Sequence, residues 1–264
     1  MKVNVNGVGI HYELSGKKDR PVVVLSHSLC TNLAMWDAQV PPLENDFSVL
    51  RYDMRGHGGS DAPDGPYTLE QLAEDVIGLL DDLKINKFHW IGISMGGMIG
   101  QSLALNHADR LHSLVLCDTT SVTPAEAQPV WRERIETAKT EGLQALVDET
   151  LERWFTPAHL NENPLPVQRI REQVLATPVA GFIGCGAAIC RLDYSHRLSE
   201  IHTPTLIIVG EDDPGTPVSA SEAIYLRIAG SKLKIIPSAR HLCNVEMPQA
   251  FNELIVPFLR DRQA

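Results

Sequence analysis

The chain is 264 residues long, 44% hydrophobic and 21% charged, a globular composition that excludes disorder, coiled coil and collagen. The length fits one α/β domain whose core needs neither disulfides nor a metal for stability. The formal net charge, 23 − 33 = −10, argues against nucleic acid or an anionic membrane surface as a partner, since both need a basic face. A small anionic substrate is still allowed, because it needs only a local Arg or Lys. No apolar run reaches the roughly 20 residues that span a bilayer. The opening residues, MKVNVNGVGIHYELSG, carry no apolar signal region. Cys30, Cys117, Cys185, Cys190 and Cys243 are odd in number and irregularly spaced. They read as reduced thiols, so a cytoplasmic location is expected.

Residues 3–14 predict a short hairpin, with Gly7 and Gly9 near its turn. Val22-Val23-Val24-Leu25 is a continuous β-branched run, the pattern of a buried parallel strand. A loop from His27 to Thr31 follows, then a short helix over 35–43 and a strand over 47–52. Asp53 to Gly65 is rich in turn residues. Thr68 and Gln71 are spaced as a capping box. After them Leu69, Leu72, Val76, Leu79, Leu80 and Leu83 make one apolar helical face. Strands are expected at 88–93 and 111–116, with a helix over 95–106 between them. From 123 to 197 the strand pattern stops, and 131–138 and 143–154 read as helices. Strands return at 205–209 and 233–236, before a last helix over 248–259 that Pro257 disturbs. Alternating strands and helices imply a mostly parallel sheet with helices on both faces. The expected organisation is therefore an α/β core, residues 1–122 and 198–264, carrying a helical cap insertion at 123–197.

Gly92-Ile93-Ser94-Met95-Gly96 matches G-x-S-x-G between a strand and a helix. Such a turn projects the serine hydroxyl above the sheet, and the flanking glycines leave room for its strained backbone. A free serine is a poor nucleophile and needs a base. His241 is the best of ten histidines, because it follows the last strand and precedes the last helix. His27 and His57 read as structural or oxyanion-loop residues, and His107, His112, His159 and His202 as surface positions. The acid should lie after a strand between Ser94 and His241. Gly210-Glu211-Asp212-Asp213-Pro214 supplies it, with Asp213 preferred over Asp212. The backbone N–H groups of Leu29 and Met95 are the expected oxyanion donors. No spacing supports a metal site.

These residues resemble the α/β-hydrolase superfamily over nearly the whole chain. The resemblance rests on the His27 loop, Asp53-Met54-Arg55-Gly56-His57-Gly58-Gly59-Ser60, the Ser94 turn, the Gly210–Pro217 loop and the His241 segment. It is closest to bacterial 3-oxoadipate enol-lactonases. The stretches that carry this are Ser28 to Asp37 (SLCTNLAMWD), Gly65 to Glu70 (GPYTLE), Gly92 to Gln101 (GISMGGMIGQ) and His241 to Glu246 (HLCNVE). Arg153-Trp154-Phe155-Thr156 and residues 185–191 also fit. Cys30 stands where a glycine is expected and His27 where the lactonases often have Asn.

The resemblance implies the α/β-hydrolase fold with a helical cap. It also implies hydrolysis of a small anionic enol-lactone to 3-oxoadipate by a Ser94–His241–Asp213 triad without a cofactor. The substrate carboxylate then needs a local cation. The insertion offers Arg132, Arg134, Lys139, Arg153 and Arg191 beside Trp131 and Trp154. Trp131 and Arg134 are three apart and share a face if helical. That pair is preferred for substrate contact, with Trp154 as a roof residue. Two readings stand beside the lactonase. One is a general carboxylesterase or carbon–carbon bond hydrolase of the same fold, which a triad alone does not separate. The other is a small-molecule receptor on a hydrolase scaffold. The sequence leaves the oligomeric state open.

Overall fold

The computed structural model describes residues 1–262. Its centre is one eight-stranded sheet in the order β1-β2-β4-β3-β5-β6-β7-β8. The strands are β1 (Lys2–Val5), β2 (Val8–Gly16), β3 (Val22–Ser26), β4 (Ser48–Tyr52), β5 (Phe88–Ile93), β6 (Leu111–Cys117), β7 (Thr205–Gly210) and β8 (Lys232–Ile236). The β1–β2 and β2–β4 pairs are antiparallel, and every other pair is parallel. β5 and β7 are buried along their whole length. This is why their sequences, apart from His89 and Thr205, read as apolar runs rather than alternations.

The expected 35–43 helix is split. A single 3₁₀ turn, Leu33–Trp36, is followed by helix α1 (Val40–Glu44), which starts at its prolines. Proline's fixed φ and missing N–H suit the first helical turn and not an interior. Helix α2 (Leu69–Asp82) is capped by Thr68, whose hydroxyl accepts from the Gln71 N–H at 3.1 Å. Only that half of the capping box forms among the described residues. Helix α3 (Met95–Asn106) packs beside α2 and against β5 and β6.

Between β6 and β7 the chain makes helices α4 (Gln128–Glu141), α5 (Val147–Trp154), α6 (Pro157–Glu162), α7 (Leu165–Ala176) and α8 (Val179–Cys190). The segment leaves and re-enters the core side by side: Tyr194 N–H donates to Ser121 O and Thr123 N–H to Leu192 O. Apolar α8 lies against the core at a glycine–glycine contact. A Cβ on Gly181 would stand 2.0 Å from the Gly56 carbonyl oxygen, so neither position has room for a side chain. Helices α9 (Val218–Tyr225), α10 (Cys243–Glu246) and α11 (Pro248–Arg260) complete the fold. α9 covers β7 and β8, and α11 packs on α1 and β8. Pro257 sits inside α11 near its end. Among the described residues no single helix is long and apolar enough to cross a membrane.

The loops at the carboxyl ends of β3, β4, β5, β6, β7 and β8 all open at one edge of the sheet, where ligands bind in such folds. One buried ion pair ties this edge to the helical layer. Arg55, on the loop after β4, donates Nε and an Nη to both oxygens of Asp75 on α2, at 2.5 and 2.6 Å. Both side chains are buried. Removing one partner strands the other charge, which costs about 3–5 kcal/mol. Asp75→Ala is therefore expected to lower unfolding stability by about that amount, measured by urea denaturation.

Candidate active site

Ser94 is the one residue between β5 and α3, and it is held at φ 55°, ψ −115°. This positive-φ backbone lies in a sparsely populated region that costs a non-glycine residue about 1–3 kcal/mol. Four bonds hold it. Its N–H donates to Cys117 O at 2.8 Å, and its carbonyl accepts from Thr119 Oγ1 at 2.8 Å, from Gly97 N–H at 2.9 Å and from Met98 N–H at 3.1 Å. The flanking glycines are required by space. A Cβ on Gly92 would lie 2.1 Å from Gly96 O, and one on Gly96 would lie 2.3 Å from Ser26 O.

Asp213 and His241 come together although 28 residues separate them. His241 Nδ1–H donates to Asp213 Oδ2 at 2.8 Å, and both side chains are buried. Asp213 is further held by Thr216 Oγ1 at 2.6 Å and by the N–H groups of Gly215 and Thr216 at 2.8 and 3.1 Å. Burial works against the Asp213 charge, but His241 and Thr216 outweigh it and hold the carboxyl below its ordinary range. For His241 burial favours the neutral ring. The Asp213 charge and hydrogen bond overcome that and raise it above 6.5. Asp212, the neighbouring candidate, is exposed. Ser94 and His241 line the same cavity. No hydrogen bond joins Ser94 to His241 among the described residues; unliganded sites often close this bond only around substrate.

The N–H groups of Leu29 and Met95 donate to no protein acceptor among the described residues. Backbone donors without a protein acceptor are rare in a folded interior. Leu29 sits in a loop fastened by two buried histidines. Met54 N–H donates to His27 Nε2 at 3.0 Å, and Cys30 N–H donates to His57 Nε2 at 3.0 Å. Burial, then the neighbouring His27, pushes His57 down to about 3. Cys30 adopts φ 62°, which is why a glycine is expected there.

The cavity between the loops at the sheet edge and helices α4, α5 and α8 has a volume of about 630 Å³. Trp131, Arg134 and Trp154 all line it, as do Arg153 and Thr216. Trp154 is buried and stacks on His241, with centroids 6.3 Å apart and planes 22° from parallel. Arg134 and Trp131 share a face of α4, and the guanidinium lies 4.9 Å from the indole centroid. Among the described residues no carboxylate lies within 4.0 Å of Arg134; its one side-chain bond is to Thr150 Oγ1 at 3.4 Å. Burial and the nearby Arg153 both work against its charge. Arg132, Lys139 and Arg191, the other cations of the insertion, do not line the cavity.

Sequence reading did not single out Thr216, which touches both Asp213 and His241, or Asp118, buried behind them. A hydroxyl three residues after an Asp is a turn signal that could have found the first. A charged residue ending an apolar strand could have found the second. No cluster of three metal-ligating side chains occurs among the described residues.

The profile of the alpha/beta hydrolase fold family matches residues 21–248. The chain belongs to that family. It is 36% identical over 248 residues to 3-oxoadipate enol-lactonase 2 of Acinetobacter baylyi, covering 94% of this chain and 92% of that one. The crystal structure of the enol-lactonase from Burkholderia xenovorans LB400 superposes with a TM-score of 0.96 at 39% identity. That match covers 98% of this chain and 100% of that one. A putative carbamate hydrolase RutD of Rhizobium rhizogenes is 29% identical, covering 96% of this chain and 98% of that one.

The environment of His241 leads to a titration. Its ring is expected to protonate above 6.5, followed by NMR of the imidazole protons. Asp213→Asn removes the charge that causes the upward shift, so the ring should then titrate at lower pH.

Proposed function

We propose that this hydrolase opens the ring of 3-oxoadipate enol-lactone to give 3-oxoadipate, a step of aromatic catabolism in the β-ketoadipate pathway. One observation carries the reading. A guanidinium with no carboxylate partner among the described residues, that of Arg134, lines the apolar cavity that also holds Ser94 and His241. A half-buried cation of this kind, facing an apolar cavity, suits an anionic ligand. The resemblance to proteins named enol-lactonases supports a lactone with a carboxylate side chain.

In this reading Ser94 Oγ attacks the lactone carbonyl carbon while His241 Nε2 takes its proton. Asp213 keeps Nδ1 protonated and stabilises the imidazolium. The N–H groups of Leu29 and Met95 hold the oxyanion. Breaking the ring C–O bond releases an enolate, which takes the proton from His241 and becomes the ketone, leaving the imidazole neutral again. His241 then deprotonates water, which attacks the acyl-enzyme and frees Ser94. Arg134 pairs with the substrate carboxylate, Trp131 flanks it, and Trp154 roofs the imidazole. The substrate is a dissolved metabolite and no partner macromolecule is needed. The five unpaired cysteines support a reducing compartment, the cytoplasm.

Loss of enol-lactone is followed by ultraviolet absorbance. Ser94→Ala and His241→Ala should each lose roughly a million-fold in kcat, as in a comparable serine hydrolase. A variant that kept a tenth of the activity would overturn the triad. Arg134→Ala should raise KM for the anionic lactone and leave a neutral aryl ester unaffected. An equal effect on both would remove Arg134 from the carboxylate site. The relatives named as carbamate hydrolases supply the second reading. Turnover of a neutral carbamate in preference to the lactone would favour it.

A further inference from the structure

Asp118 is fully buried one residue beyond β6, and the reaction above makes no use of it. Its backbone adopts φ 41°, a left-handed conformation that Asp tolerates better than most residues. Its N–H continues the sheet by donating to Ile208 O on β7 at 2.9 Å. The carboxyl group faces two segments at once. Oδ1 accepts the N–H of Gly210 at 2.7 Å, and Oδ2 meets Cys243 Sγ at 2.8 Å. Gly210 ends β7 and opens the loop that carries Asp213. Cys243 begins α10, two residues after His241.

We propose that Asp118 is a positioning residue that, as a neutral carboxylic acid, ties the loop of Asp213 to the loop of His241. The inference rests on the triad reading above.

The neutral form follows from the donors. Asp213 receives four: Thr216 Oγ1, two backbone N–H groups and the imidazole. Asp118 has one N–H and a thiol, a weak partner. Two nearby buried carboxyls beside one imidazole do not both ionise readily, and the better-solvated one takes the charge. The titratable groups around Asp118 are Asp213, His241, Cys243 and Cys117, with Arg153 acting on His241. Burial, then the Asp213 carboxylate, pushes Asp118 up to about 8, while His241, the thiol and the Gly210 N–H pull it partly back. A neutral Asp118 adds no second charge beside Asp213. Its role is to keep the Asp213–His241 hydrogen bond in register with Ser94.

The test compares Asp118→Ala with Asp118→Asn, an isostere that is neutral at every pH. The alanine variant should lose about ten- to a hundredfold in kcat, with KM within about threefold. Asn accepts from Gly210 and donates to Cys243, so it should restore most of that loss. Urea midpoints supply the second readout. A native carboxyl titrating near 8 binds a proton that the unfolded chain has already released. Wild-type stability should therefore fall relative to Asp118→Asn as pH rises from about 5 to about 8. Full kcat in Asp118→Ala would overturn the positioning role. An Asn variant as impaired as Ala, or parallel midpoints across that pH range, would overturn the neutral acid. If the alanine variant does not fold, kcat of the Asn variant and the midpoints decide. Ser94→Ala is assayed in parallel. Activity there overturns the triad reading itself, whereas an inactive Ser94→Ala with a fully active Asp118→Ala overturns only the role of Asp118.

Discussion

The turn at Ser94 is where the fold spends conformational energy, and the rest of the active edge is arranged around it. A serine at φ 55° is stable only while neighbouring strands supply its hydrogen bonds. Cys117, at the end of β6, accepts its N–H, and Thr119, just beyond, donates to its carbonyl. Central β5 is buried on both faces, so the strain is carried by a rigid sheet and not by a loop. Gly92, Gly96 and Ser26 approach so closely that no larger residue fits at either glycine. The same closeness brings α3's first turn up to the end of β3, beside the loop that bears Leu29.

Around that turn, buried polar groups divide by their partners. His27 and His57 are as deeply buried as His241, yet each spends Nε2 on a backbone N–H. They fasten the Leu29 loop to the Asp53–His57 turn and stay neutral. His241 is paired with a charge, and that pairing is the main cause of its raised proton affinity. Asp213 and Asp118 divide in the same way. Four donors favour the charge on one, and a backbone N–H and a thiol leave the other poorly supported.

The chain carries net charge −10, which works against long-range capture of an anion. Local structure reverses the sign inside the cavity. Arg134 and Arg153 both border it. Arg153 is weakly paired with Glu149 at 3.9 Å and partly exposed. Arg134 lies between Trp131 and Phe182, where aromatic faces stand in for a counter-ion. A guanidinium held this way is already oriented, so pairing with an anion needs little further ordering.

The sheet, the main helices and the tight turn at Ser94 were legible in the sequence because their causes are local. β-branched runs mark buried parallel strands, Thr68 marks a helix start, and two glycines flanking Ser94 mark a turn that no other residues allow. The 35–43 helix was misread for an equally local reason, since Pro41 and Pro42 permit a helix to begin but not to run through them. Three of the five cap helices, α6, α7 and α8, went unread as well. Their prolines look like turns, and the all-round apolar α8 has no amphipathic stripe until its burial is known. Only the tertiary structure decided which of the insertion's cations border the cavity. That depends on how α8 docks through Gly181 on Gly56, across 125 residues of chain. It also decided that Thr216 and Asp118 stand behind His241. A side chain's partners there are set by three strand ends meeting at one edge, and no spacing along a single segment encodes that meeting.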